Sequence, residues 1–392
     1  MSESSNELVV KPAPHISTQM TKNRLMQYTF GALLAITIIT AILWWQVPCP
    51  TEAQITSLGL TLVWPMPLGL IVIVNALIAI GVAVGLDFLI GKVASDSEVN
   101  TWSAMVFALI VTLSYSLGVP QMALATEVMP LNTFVAPTAF FWVAAISAIG
   151  LGVFKKVQGM AGRKYVNPAA AAKFIALIPF IGTVFLAKSH FASFETGGLG
   201  VPNLAGPLGG GATPIGNNGV ASFLTYLQGC YLNPAGDPMA APPDIYNLMI
   251  LEKFHGWTGG ASALAVIVVG IVLFVLARKY IKWKITVSYL VSIAILAVIF
   301  STIYGDTDLM LRLLFTVFMG SSIFLAFFMA TDPATTPLGG VGQIIFGVGL
   351  AVLTILIQTY MNFFGGSLLA LLIMNLTVPL LDRVNIRKPF GR

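Results

Sequence analysis

Residues 66–90 read MPLGLIVIVNALIAIGVAVGLDFLI, and this stretch decides the fold class. From Met66 to Leu86 no side chain carries a charge, and Asp87 is the first that does. At about 1.5 Å of rise per residue, a helix of this length covers the roughly 30 Å hydrocarbon core of a bilayer. Comparable apolar runs lie near 26–46, 102–119, 132–153, 168–187, 258–277, 284–304, 309–330, 342–360 and 365–382. Together they predict an all-α integral membrane protein of about ten transmembrane helices. Pro137 should interrupt the run at 132–153, which neighbouring helices can accommodate.

Composition points the same way. Hydrophobic residues make up 57% of the chain, charged residues 9%, and the mean hydropathy is +0.89. A soluble domain carries about 25% charge, so this chain belongs in lipid. The net charge of +5 follows membrane topology and does not indicate nucleic-acid binding. Met1–Ile16 is polar and lacks the form of a cleavable signal.

Basic residues set the expected orientation. With the amino terminus inside, the alternating inner segments hold 16 of the 20 Lys and Arg residues, among them Lys92, Lys155, Lys156, Arg163, Lys164, Arg278, Lys282, Lys284 and Arg383. The outer loops hold only Lys188 and Lys253, with Arg312 just beyond one of them. The bias predicts both termini in the cytoplasm of a cell with this protein in its inner membrane. Four regions follow: an arm at 1–25, a first five-helix repeat at 26–187, an extracytoplasmic loop at 188–257, and a second five-helix repeat with its tail at 258–392.

Two groups of five spans around one long loop run in opposite orientations, the condition for an inverted repeat. Each group carries a Pro-containing break. The first is Gly162-Arg163-Lys164-Tyr165-Val166-Asn167-Pro168-Ala169; the second is Met329-Ala330-Thr331-Asp332-Pro333-Ala334-Thr335-Thr336-Pro337. By span count both lie on the cytoplasmic side. Broken backbone there presents free N–H groups at helix starts, which suit an anionic or carbonyl-rich ligand. Read as plain connections, the same stretches use Pro and Asp as helix starters, with Asp332 as an N-cap. An inverted repeat would bring them to one inner cavity, with Asn167 near Asp332.

The outer loop contains Gly209-Gly210-Gly211-Ala212-Thr213-Pro214. Gly/Thr/Pro strings are ordinary turn material. They also leave a hydroxyl on backbone that a bulky group can approach, and Thr213 is the only hydroxyl residue from Gly206 to Asn218.

The flanking sequence resembles a family. Val10-Lys11-Pro12-Ala13-Pro14-His15-Ile16 is similar to the opening of the D subunit of Rnf complexes, and Gly211-Ala212-Thr213 resembles its flavinylation motif. His255-Gly256-Trp257-Thr258-Gly259-Gly260-Ala261-Ser262-Ala263-Leu264 resembles the start of its sixth span. Phe328-Met329-Ala330-Thr331-Asp332-Pro333, Leu372-Ile373-Met374-Asn375 and Pro379-Leu380-Leu381-Asp382-Arg383 resemble its C-terminal signatures. The same blocks occur in the B subunit of the sodium-pumping NADH:quinone reductase. The likeness runs through nearly the whole chain, in order.

What this resemblance implies is a flavin-bearing component of an ion-translocating oxidoreductase, moving Na+ or H+ and inactive alone. It implies FMN joined through its phosphate to Thr213, with Gly211, Ala212 and Pro214 around it. The motif departs from the family's Ser/Asp-Gly-Ala-Thr-x-x-Thr at Gly210 and Gly216. A second, noncovalent flavin (riboflavin or a relative) is implied near the inner face. Asn167, Asp332, Thr335 and Thr336 are its candidate hydrogen-bonding groups. Phe327, Phe328 and Met329 are candidates to stack on its ring or to pack in the core. Expected partners are the flavin, iron–sulfur and other membrane subunits of such a complex, and lipid, with no nucleic acid.

Other features carry less. Cys49 and Cys230 fall on outer loops and could pair. Asp87 is either an ion-passage acid or a satisfied acid near the interface. Gly81 and Gly85 have helix-packing spacing. His15, His190 and His255 are too isolated for a metal site. A solute channel or transporter is the alternative function, because inverted repeats with Asn-Pro-Ala breaks also build those. An inert scaffold is the third reading.

Overall fold

The structure, a computed structural model, describes residues 22–45, 68–93, 99–114, 137–160, 164–178, 257–278, 280–305, 309–318, 322–360 and 366–384. Thr213 and its neighbours, Cys49, Cys230, His15, His190 and His255 lie outside the described residues, as do most of the arm and the long loop.

All described regular structure is helical. In chain order the elements are α1 (Lys22–Trp45), α2 (Leu68–Val93), α3 (Thr101–Leu113), α4 (Pro137–Ile149), α5 (Pro168–Leu177), α6 (Ala263–Leu276), α7 (Trp283–Tyr304), α8 (Leu309–Phe318), α9 (Ser322–Phe324), α10 (Gly340–Tyr360) and α11 (Gly366–Arg383). Each of the apolar runs read from sequence falls on one of these. Six described helices are long and apolar enough to cross a membrane, and the bent α8–α9 pair makes up to seven. Outward faces are aliphatic: Leu77, Val275 and Ile303 are 64%, 72% and 65% exposed, as a lipid-facing surface requires.

Two elements depart from the expected spans. The described part of the run at 132–153 is a helix from Pro137, and the residues before it, on which the expected interruption turns, lie outside the described residues. That helix then continues past 153 through a π-wound stretch, Gly150–Val157, into Gln158–Met160. The run at 309–330 is bent by 56° between Phe318 and Ser322. Beyond the bend, α9 also winds into a π stretch, Leu325–Met329, closed by an Ala330 N–H to Leu325 carbonyl bond of 2.8 Å.

Local sequence explains the helix ends. Asn100 accepts from the Ser103 N–H at 3.0 Å to start α3, and Ser262 accepts from the Ala265 N–H at 3.2 Å to start α6. Gly305, at φ 66°, closes α7 in the left-handed conformation that glycine tolerates. Helices then pack against one another through small residues. A side chain at Gly347 would strike Ser288 and the Ile285 carbonyl, so α7 and α10 cross at glycine distance. Gly81 and Gly85 do not behave this way. Both are exposed on α2, and a Cβ at either meets nothing within 4 Å, so their spacing packs no described helix.

Asp87 proves to be a satisfied acid. Its carboxylate pairs with Lys156 at 2.5 Å and accepts from the Asn100 N–H at 2.9 Å, tying α2, α3 and the π stretch after α4 together.

Candidate functional site

A π stretch precedes each of the Pro-containing breaks, and the two breaks meet. At the first, Asn167 caps α5: its side-chain oxygen accepts from the Ala169 and Ala170 N–H groups at 3.1 and 3.2 Å. Pro168 at the first helical position and the run Ala169–Ala172 then allow close packing. The Asn167 side-chain amide donates to the Met329 carbonyl at 3.3 Å, at the end of the second π stretch. That carbonyl closes the helix and has no intrahelical donor; the Asp332 N–H approaches it at 3.5 Å.

Asn375 on α11 completes the junction. It accepts from the Asn167 N–H at 2.8 Å and donates to the Thr335 carbonyl at 3.1 Å. One carboxamide thereby holds both breaks. This clasp joins the first break, which lies between α4 and α5, to the second, which lies between α9 and α10.

The second break is a wound turn and not a helix start, since α10 begins only at Gly340. Asp332 accepts from the Ala334 N–H at 3.2 Å and from the Thr335 hydroxyl at 3.1 Å; the Thr336 hydroxyl donates to the Asp332 carbonyl at 2.6 Å. Lys282, in the connection between α6 and α7, donates to the Pro333 carbonyl at 3.0 Å and the Thr336 carbonyl at 2.7 Å. Burial pushes the Lys282 amine down from 10.5 to about 8, and the nearby Asp332 and Asp382 carboxylates oppose that shift.

Between the breaks lies a recess lined by Asn167, Asp332, Thr331, Ser103, Thr29, Lys155 and Lys164 among its polar groups. Phe107, Phe327 and Phe328 supply aromatic walls, and α1 closes one side with Leu25 and Met26. The space open to the centre of a water molecule is ≈ 120 Å³. One bound water needs only about 10–15 Å³ on that measure, so the recess has room for a ligand. Its walls are well supported. Phe328 stacks on Phe324 at 5.4 Å, Phe327 leans on Phe274 at 5.2 Å, and a side chain at Gly270 would strike Phe327.

Among the residues singled out from sequence, Asn167, Asp332, Phe327 and Phe328 face this recess. Thr335 and Thr336 do not line it; their hydroxyls hold the Asp332 turn, and both are buried. Met329 is buried and reaches the site only through its carbonyl. Sequence reasoning passed over Lys155, Thr331 and Asn375. Thr331 stands inside the second break, and Asn375 ends the stretch Leu372-Ile373-Met374-Asn375, but neither position alone shows what it touches. Lys155 donates to the Ser103 carbonyl and lies 5.4 Å from the centre of the Phe107 ring. No cluster of three or more His, Cys, Asp or Glu suited to a metal occurs among the described residues.

Fold and recess together define a multi-pass helical membrane protein with a polar, aromatic-walled site at one end. The chain belongs to the NQR2, RnfD, RnfE family, which it matches over residues 9–391. It is 24% identical over 386 residues to the D subunit of the Na(+)-translocating ferredoxin:NAD(+) oxidoreductase complex of Acetobacterium woodii, covering 98% of this chain and 95% of that protein. The D subunit of the ion-translocating oxidoreductase complex of Stutzerimonas stutzeri is 32% identical over 268 residues, 65% of this chain and 72% of the relative. Its counterpart in the proton-translocating ferredoxin:NAD(+) oxidoreductase complex of Clostridium ljungdahlii is 27% identical over 252 residues, 64% and 69% of the two chains. These relatives are subunits of ion-translocating oxidoreductase complexes.

Proposed function

We propose that this chain is the flavin-bearing membrane component of an Rnf-type ion-translocating electron transport complex. It would pass electrons between partner subunits, coupled to Na+ or H+ movement. The observation that carries the reading is the recess at the joined breaks. An isoalloxazine ring presents flat apolar faces and a polar edge of carbonyl and N–H groups. Phe327, Phe328 and Phe107 fit the faces, while Thr331, Ser103 and Asp332 fit the edge. A flavin would supply one-electron transfer there; this chain's residues would hold and orient it. Asn167 spends its side chain on the α5 cap and the Met329 carbonyl, so its part is to fix the wall.

The rest of the reading extends the sequence expectations. Ten spans would form two inverted five-helix repeats. Thr213 would carry FMN through a phosphoester on the outer side, with Gly211, Ala212 and Pro214 giving the attaching enzyme access. Lys155, Lys164, Lys282 and Lys284 gather at the end of the molecule that holds the breaks, which supports placing that end in the cytoplasm. The partners would be the flavin and iron–sulfur subunits of such a complex and its other membrane subunits, since electrons must arrive from and leave to other chains.

The test is the purified protein on a denaturing gel. Flavin fluorescence should travel with the polypeptide and vanish in Thr213→Ala, while acid should release a second flavin from both. A fluorescent band of unchanged intensity in Thr213→Ala would sink the attachment. Absence of any releasable flavin would sink the recess assignment.

A further inference from the structure

Three buried hydroxyls meet where the α8–α9 span is bent. Tyr289 on α7 and Thr354 on α10 are both 0% exposed, and Ser322, the first residue of α9, is 1% exposed. The Ser322 and Thr354 hydroxyls both lie beside that of Tyr289. Even so, none of the three oxygens makes a hydrogen bond of proper distance and angle with another of them, or with any other group among the described residues. A buried Ser or Thr commonly avoids this by donating to the carbonyl one turn back, as Thr316 and Thr331 do at 2.8 Å each. Ser322 and Thr354 leave that option unused. Buried polar groups left without partners in a folded protein call for an occupant that pairs with them.

The place in the fold says what kind of occupant fits. α7 packs along α8, along α10 and against the π stretch Leu325–Met329, so the three hydroxyls come from three different spans. Ile293, Ile323, Leu350 and Ile355, on the same elements, belong to the apolar core. α8 ends on Phe318 and aims its carbonyl end, the negative end of the helix, toward the 56° bend. Discontinuous membrane helices hold cations by joining side-chain oxygens to helix-end carbonyls in this way. None of the three residues lines the recess at the joined breaks.

We propose that Tyr289, Ser322 and Thr354 form a binding site for a small monovalent cation of the sodium class, enclosed at the bend of the broken span. Hydroxyl oxygens are hard, neutral ligands, which suit an alkali cation and offer nothing to a metal that prefers sulfur or imidazole. A divalent cation takes carboxylates in its shell, and none stands among these three side chains. Neutral oxygens replace the hydration shell of a monovalent ion without trapping it, so the ion can exchange. A single trapped water is the competing occupant, since it too pairs with two to four polar groups. Only an ion makes the stability of the protein depend on which cation the solution holds. The site goes beyond the electron-carrying role of the recess and needs no flavin.

The experiment uses the full chain in detergent, exchanged into choline chloride. Sodium chloride then replaces the choline salt stepwise at constant total chloride, and tryptophan fluorescence follows thermal unfolding. The melting temperature of the wild type should rise with the logarithm of the sodium concentration. Tyr289→Phe and Thr354→Val each keep the shape of the side chain and remove one ligand oxygen. In choline each should match the wild type, because removing an unpartnered oxygen strands no partner. In sodium each should lose most of the rise. Ser322→Ala carries the test if either of the others fails to fold. A wild-type melting temperature that ignores sodium overturns the proposal and leaves water as the occupant. A rise that persists undiminished in the folded variants overturns it equally, since sodium would then be acting elsewhere.

Discussion

Replacing Asn375 by Leu should loosen the site without dismantling the membrane fold. The side chains are close in volume, and Asn375 is 2% exposed, so the change strands two groups rather than opening a void. The Asn167 N–H loses its acceptor and the Thr335 carbonyl loses its donor. In soluble proteins each stranded buried group costs about 1–3 kcal/mol. Within bilayers the measured coupling is smaller, averaging ~0.6 and reaching ~1.7 kcal/mol, because the unfolded chain also finds partners. The lower scale governs here, which gives about 1–3 kcal/mol for both groups together. The effect on the recess should be the larger one in relative terms, because the Asn375 carboxamide bonds to both breaks at once. Unfolding in mixed detergent micelles measures the stability; flavin released by acid per polypeptide measures the site. Asn375→Asp separates the two bonds, since it keeps the acceptor for Asn167 and places a carboxylate against the Thr335 carbonyl. Leu should lose both flavin and stability, and Asp should lose flavin at least as severely. A Leu variant with wild-type flavin content and a stability change under about 0.5 kcal/mol, below the average bilayer coupling, would refute the clasp.

Three further outcomes follow from the packing. Asp87→Asn or Lys156→Met alone should cost about 3–5 kcal/mol by breaking a buried pair, whereas the double variant should recover most of that loss in the same unfolding assay; additive losses would show that the pair is not coupled. Gly270→Leu should push Phe327 into the recess and abolish release of noncovalent flavin while fluorescence on the gel persists; unchanged release would remove Phe327 from the site. Lys282 binds its proton less readily when folded than when unfolded, so the unfolded state holds more protons between about pH 8 and 10.5. Stability should therefore rise with pH through that window relative to Lys282→Gln, and parallel profiles of the two proteins would contradict it.

The helices were legible because lipid imposes a length and an absence of charge that a sequence cannot hide. Residues 66–90 needed no tertiary information to be read as a span. The π stretches were not legible. Gly150–Val157 and Leu325–Met329 have no distinctive composition, and π winding arises from what the neighbours can accept, such as Thr286 bonding to the Ala326 carbonyl at 2.6 Å.

The site was legible in its parts and not in its wiring. Pro-containing breaks in apolar sequence announced irregular backbone that must be satisfied within the protein. That requirement explains why the breaks meet. Around the buried Asn167 and Thr335, backbone groups outside the helical ladders must find partners within the protein, and each break offers what the other lacks. Asn167 brings donors and needs an acceptor for its N–H; the second break brings the Met329 and Thr335 carbonyls. Asn375 carries one acceptor and one donor on a single planar group, which is the chemistry that can join the two. Thr335 and Thr336 looked like ligand groups because hydroxyls beside Asp in a break are ambiguous between binding outward and bracing inward. Here both brace Asp332, and that frees the carboxylate's position, rather than the hydroxyls, to shape the recess.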